Sequence, residues 1–183
     1  MCEPGARGAA ILLEAARFAA RAHHGQRRKG GADIPYVDHV LDVAARLAAH
    51  AGDEVLILAG ILHDTIEDCD VTEADLAARF GPDVAALVLE VTDDTSLPKA
   101  EQRRRQEEHI RHASDRAKRL KMADKTSNLA AIARTPPDWS AERMQGYIDW
   151  ALRVIDPVRG LDPELEARFD VAVAAARAVA ARR

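Results

Sequence analysis

The chain has 183 residues, 48% apolar and 31% charged, with a net charge of −4. That size and balance suit one globular domain with its own core, and the acidic total excludes a protein that holds nucleic acid by bulk charge. The two cysteines, Cys2 and Cys69, make neither a disulfide framework nor a zinc cluster and fit a reducing compartment.

The N-terminus lacks a basic stretch followed by an apolar signal core. The longest apolar run, Val55 to Leu62, is too short to span a bilayer. A cytoplasmic protein with no membrane or nucleic-acid partner is the expectation.

Helical periodicity runs through the chain, with almost no strand alternation. Ile11, Leu12, Ala15, Ala16, Phe18, Ala19 and Ala22 form one stripe, which Gly25 ends beside His23 and His24. A polar loop, Gln26 to Gly31, follows. Pro35 suits the first turn of the next helix, which carries Val37, Val40, Leu41, Ala44, Ala45 and Leu47 and stops by Gly52. Residues 55–62 are apolar on every side, the mark of a buried central helix. Thr72 with Asp75 predicts an N-cap, and Gly81-Pro82 separates that short helix from one over 82–91.

A polar loop over 92–98 precedes a highly charged segment, 99–112, read as a solvated helix or mobile stretch. Ser114 caps a helix to about Ala133, Pro136-Pro137 breaks it, Ser140 caps another that ends before Pro157, and Asp162-Pro163-Glu164 starts the last. The expected architecture is all-α, a single domain over residues 1–183. Its core spans about 8–156 and its C-terminal helix about 163–181.

The central oily helix turns abruptly polar at His63-Asp64-Thr65-Ile66-Glu67-Asp68. If the helix continues, the i,i+4 spacing pairs His63 with Glu67 and Asp64 with Asp68. Alone, such a stretch reads as a polar helix end facing water. Four ionisable groups closing an apolar helix are costly without compensation, and carboxylates there oppose the helix dipole. A divalent cation compensates them. His39, just inside the preceding helix, and Asp124, in a later one, complete a two-His, two-carboxylate set suited to Mn(II), Fe(II) or Zn(II). Glu67 and Asp68 stand one turn on, placed to orient a water or move a proton.

Arg27-Arg28-Lys29 is a compact cationic loop suited to phosphate. Arg103-Arg104-Arg105 reads as a solvated face. His23, His24, His50, His109 and His112 lack partners at telling spacings.

Taken in order, six segments form one series: Gln26-Arg27-Arg28-Lys29, Pro35-Tyr36-Val37-Asp38-His39, Leu62 to Asp68, Phe80-Gly81, Val91-Thr92-Asp93-Asp94 and Leu120 to Lys125. The series resembles the hydrolase domain of the RelA/SpoT homologue family, and within it the stand-alone small alarmone hydrolases. It runs from about Ala15 to Trp150. The resemblance implies an HD-domain helical bundle that removes the 3′-pyrophosphate of guanosine tetra- and pentaphosphate (ppGpp and pppGpp) in the stringent response, usually with manganese or another divalent metal.

By the same resemblance, His39, His63, Asp64 and Asp124 match metal ligands, and Glu67 and Asp68 match the pair that handles the attacking water. Arg28 matches an arginine that packs on the base, with Lys29 beside it. Asn128 matches a nucleotide-contacting position, and Lys99, Arg143 and Tyr147 resemble positions that meet phosphate or sugar. Two departures bear on nucleotide affinity and selectivity: Ala130 stands where the family commonly has arginine, and Ser127 where it has a larger ring.

The length leaves no room for a synthetase segment, so alarmone synthesis is not expected. Two other readings stay open: an HD phosphohydrolase acting on another nucleotide such as NADPH, and a non-catalytic alarmone-binding module. The retained Glu67-Asp68 pair argues against the second. Self-association, as a homo-oligomer, is also left open.

Overall fold

The computed structural model describes residues 4–30, 33–48 and 53–183; Cys2, Gly31, His50 and Gly52 lie outside the described residues. Among the described residues every regular element is helical, as an all-α reading requires. They group into two compact units. One holds the described residues up to Gln26 together with Pro35–Thr92; the other holds Arg27–Ile34 and Asp93–Arg183.

The first unit contains α1 (Pro4–Ala22), α2 (Val37–Ala48), α3 (Glu54–Leu62), a single turn α4 (Thr65–Asp68), α5 (Glu73–Phe80) and α6 (Pro82–Val91). Its centre is α3, which packs against α1, α2 and α6 and buries Leu56, Leu58, Ala59, Ile61 and Leu62. A helix apolar all round has no face to give to water, so it must be surrounded. Asp53 starts it by accepting a hydrogen bond from the Leu56 N–H at 3.3 Å.

Gly60 marks the close approach of α2: a Cβ there would lie 2.8 Å from Leu47 Cδ1 and 3.3 Å from Ala44 Cα. On α2 the buried stripe is Val40, Val43, Ala44 and Leu47, an i, i+3, i+4, i+7 pattern. Leu41 and Ala45, expected on that stripe, sit one position off it and are exposed. Pro35 lies outside α2, in the turn before it, where its carbonyl accepts from the Asp38 N–H at 3.2 Å. Further on, Thr72 and Asp75 form a reciprocal capping box. Gly81 then turns the chain at φ 95° into Pro82, the first residue of α6.

The second unit contains α7 (Lys99–His109), α8 (Asp115–Arg134), α9 (Ala141–Ile155), a 3₁₀ turn (Asp156–Val158) and α10 (Pro163–Ala180). The last helix packs along α8 and α9, and α7 packs on α9. The expected caps are all present: Ser114 accepts from Ala117 N–H at 3.2 Å, Ser140 from Arg143 N–H at 3.2 Å, and Asp162 from Leu165 N–H at 3.1 Å.

The charged segment is helical, and one expectation about it is corrected. Arg104 and Arg105 face outward, but Arg103 turns in, its guanidinium 4.9 Å from the centre of the Trp150 ring. No helix among the described residues is long and apolar enough to cross a membrane.

Candidate functional site

In the first unit the chain breaks where the chemistry begins. The expected continuation of α3 through Asp68 does not occur. Asp64 sits at φ −97°, ψ 0°, between α3 and the one-turn α4, the sparsely used bridge region of the backbone. The Thr65 hydroxyl donates to the Leu62 carbonyl at 2.7 Å, and the Asp68 N–H donates to the Asp64 carbonyl at 2.9 Å. The helix is thus interrupted at His63-Asp64, while the Asp64–Asp68 backbone bond keeps the i,i+4 spacing of a helical turn.

That turn aims Asp64 back at the imidazoles. Its Oδ2 lies 3.1 Å from His63 Nε2 and 3.6 Å from His39 Nε2, and the two rings are 5.3 Å apart. Both histidines are buried. His63 Nδ1 lies 2.9 Å from the Gly60 carbonyl; a carbonyl has no hydrogen, so Nδ1 donates. Nε2 then faces the carboxylate either as an imidazolium N–H or as a lone pair with a cation between them. Metal–ligand bonds of about 2.1 Å at roughly right angles place two donors about 3 Å apart, so this spacing fits one divalent ion.

The Tyr36 hydroxyl donates to the same Oδ2 at 2.6 Å and orients it. Burial resists ionisation of Asp64. The adjacent His63 charge and the hydrogen bonds from His39 and His63 outweigh that effect and hold the carboxyl well below the usual carboxylate range.

Glu67 and Asp68 ride on α4 and line a surface pocket of about 520 Å³ with Gln26, Cys69 and Asp70. The turn that carries them is tied from α1's end. His23 Nδ1 donates to Gln26 Oε1 at 2.7 Å, and Gln26 Nε2 donates to the Asp68 carbonyl at 2.8 Å. Gln26 and His23 were thus not recognisable from spacing as supports of this turn. Burial, reinforced by the Asp68 charge, pushes the Cys69 thiol up to about 11, so it remains a thiol at neutral pH.

In the second unit Asp124 lies in the middle of α8 and is held at both oxygens. Asn128, one turn on, donates to Oδ1 at 2.6 Å, and Lys125 donates to Oδ2 at 2.9 Å. Asn128 Oδ1 in turn accepts from Arg28 Nη2 at 2.7 Å, which brings Arg28 and Asn128 together. The loop carrying Arg28 lies close on the end of α8: a Cβ on Gly30 would come within 2.9 Å of the Thr135 carbonyl oxygen. Lys125 is buried, with its ammonium 4.5 Å from the centre of the Trp150 ring. Burial works against its charge, but Asp124 beside it prevails and raises its pKa. Lys125 had no role assigned from the motif, although its place directly after Asp124 was a signal.

Tyr147 lies between Trp139 and Trp150, with ring centres 5.8 and 5.4 Å away, and burial raises its pKa. The Arg143 guanidinium lies 4.5 Å over Trp139. Lys29 and Lys99 are exposed, and Lys99 donates to Gln102 at 2.8 Å. Ser127 is buried in α8 and Ala130 is half-buried.

Comparison with known proteins places this arrangement in a family. The HD domain model matches residues 15–148. The chain is 46% identical over 166 residues to guanosine-3′,5′-bis(diphosphate) 3′-pyrophosphohydrolase MESH1 of Xenopus tropicalis, covering 88% of this chain and 92% of the relative. It is 47% identical over 161 residues to the Homo sapiens protein of the same name, covering 86% and 90%.

Among solved structures it is similar to a metazoan orthologue of SpoT described as hydrolysing ppGpp with a role in starvation responses. The TM-score is 0.85 and the identity 42%, covering 89% of this chain and 93% of that one. A Listeria monocytogenes protein matches with a TM-score of 0.66 and 28% identity, covering 79% and 97%. With identity of this level across nearly the full length of both chains, the protein belongs to the HD-domain family of MESH1-type small alarmone hydrolases.

Proposed function

We propose that the chain hydrolyses the 3′-pyrophosphate of ppGpp and pppGpp, acting as a single cytoplasmic metal-dependent phosphohydrolase domain with manganese. The observation that carries this is the convergence of His39, His63 and Asp64 on one point, in a chain of this family. Those three and Asp124 hold the ion. Bound there, a divalent cation supplies the Lewis acidity that makes water a nucleophile near neutral pH and offsets phosphate charge.

The protein's own groups do the rest. Tyr36 fixes Asp64, and Gly60 fixes the tautomer of His63. Asn128 and Lys125 fix Asp124. Glu67 and Asp68, held by Gln26, orient the attacking water and take up its proton. Arg28 holds the guanine, with Lys29 beside it, and Lys99, Arg143 and Tyr147 meet phosphate and sugar. The water oxygen joins the phosphorus borne by the ribose 3′-oxygen. The bond from that phosphorus to O3′ breaks, O3′ takes a proton, and pyrophosphate leaves with GDP or GTP as the other product.

The experiment is hydrolysis of ppGpp in ¹⁸O-labelled water. The expected result is one labelled oxygen in pyrophosphate and none in GDP. Label in the nucleotide, or release of orthophosphate, contradicts the reaction. Cleavage of NADPH but not of ppGpp would move the chemistry to another substrate.

A further inference from the structure

Three consecutive arginines on α7 have unequal surroundings. Arg104 pairs with Glu101 at 2.6 Å and with Glu108, and Arg105 pairs with Glu101 at 3.2 Å. These are neighbours on one helix face, an ordinary solvated arrangement. Arg103 differs in each respect. Its guanidinium lies 4.9 Å from the centre of Trp150 and 6.0 Å from that of Tyr147. Its Nε is buried and has no hydrogen-bond partner. Its own carbonyl accepts from the Trp150 indole N–H at 3.4 Å, which ties this part of α7 to the ring.

A guanidinium N–H buried without an acceptor is costly, and stacking on rings recovers only part of that cost. The other cation at Trp150, Lys125, is already committed to Asp124. Trp139, Tyr147 and Trp150 form a continuous aromatic strip with Arg143 at one end and Arg103 at the other. Rings flanked by arginines suit a nucleotide, whose phosphates meet the forked donors.

Lys125 Nζ lies 2.9 Å from Asp124 and 4.5 Å from the centre of the Trp150 ring, on which Arg103 stacks at 4.9 Å. With Lys125 serving Asp124, Arg103 is left for a part of the substrate other than the reacting phosphate. On ppGpp that anionic part is the 5′-diphosphate.

We propose that Arg103 binds the 5′-phosphates of the substrate nucleotide and sets the preference for 5′-phosphorylated over 5′-unphosphorylated guanosine 3′-diphosphates. The proposal rests on the nucleotide phosphohydrolase reading above. The test compares wild type, Arg103→Met and Arg103→Lys on ppGpp and on guanosine 3′-diphosphate, which lacks 5′-phosphates. Loss of a charge-assisted hydrogen bond predicts a KM for ppGpp about tenfold higher in Arg103→Met, with kcat within about twofold. Arg103→Lys recovers part of the loss. On guanosine 3′-diphosphate the three proteins behave alike.

Calorimetric binding of ppGpp to the chelator-treated proteins gives the same ratio without turnover. A wild type that binds ppGpp but does not cleave it sinks the hydrolase reading alone, because the Arg103 effect is still read in Kd. Equal KM and Kd in wild type and Arg103→Met overturn the proposal. So do an equal penalty on guanosine 3′-diphosphate, a wild type that does not bind ppGpp, and a lowered Tm in Arg103→Met as the sole change.

Discussion

Two carboxylates proposed for the same ion are held in opposite ways. Asp64, in the first unit, sits at a break between α3 and α4, and the backbone turn aims it at His39 and His63. Asp124, in the second, is an interior residue of a 20-residue helix, where the backbone offers no such freedom. Its side chain is pinned instead, one oxygen by Asn128 and the other by Lys125. Placement by a turn leaves a group with few dependents, whereas placement by side-chain pins makes the group part of a buried charge network. Removing each should therefore cost different things, even where the loss of chemistry is the same.

The largest effects come from the two carboxylates themselves. Asp64→Ala and Asp124→Ala are both expected to reduce pyrophosphate release to background and to abolish manganese binding measured by calorimetry. They part in stability. Asp124→Ala strands the buried Lys125 ammonium and should cost about 3 kcal/mol in urea unfolding. Asp64→Ala loses the Tyr36 hydrogen bond and the His39 and His63 contacts but strands no buried ammonium, and should cost about 1–2 kcal/mol. Equal losses would erase the distinction.

Next is Glu67→Gln combined with Asp68→Asn, which should lower kcat by about 10²–10³-fold with manganese affinity kept; a variant that loses the metal instead would put these residues among its ligands. Smaller still are the residues that orient ligands. Tyr36→Phe and Asn128→Ala should each weaken manganese binding by about 10-fold, and Asn128→Ala alone should also raise KM, because Arg28 loses its acceptor. The smallest effect on activity belongs to Gly60→Ala. Its Cβ meets Leu47 and Ala44, so stability should fall by about 1–3 kcal/mol, with kcat per folded molecule changed little.

Much of the fold was legible because its signals are local. The Thr72–Asp75 box, the Gly81-Pro82 junction and the caps at Ser114, Ser140 and Asp162 each depend on two to four neighbouring residues. The break at Asp64 was not legible. An apolar run followed by Thr-Ile-Glu-Asp is compatible with a continuing helix, and the turn becomes evident only once Asp64 is seen bound to Tyr36, 28 positions earlier.

Arg103 was misread for a related reason. Composition marks 99–112 as charged throughout, while the inward stacking of one arginine depends on two rings more than forty residues away. His23 and Gln26 likewise act through Asp68, far along the chain. Motif order grouped His39, His63 and Asp64, and in the fold Asp64 lies 3.6 and 3.1 Å from the two imidazoles. Motif order could not say which hydrogen bonds hold them, since those join groups distant in sequence.

The most direct test of the central claim is pyrophosphate release from ppGpp by chelator-stripped protein, with and without added manganese. The account predicts release that is absent without metal, restored by manganese, and abolished in Asp64→Ala at any manganese concentration. Full release in the presence of excess chelator, or full activity in Asp64→Ala, would contradict it.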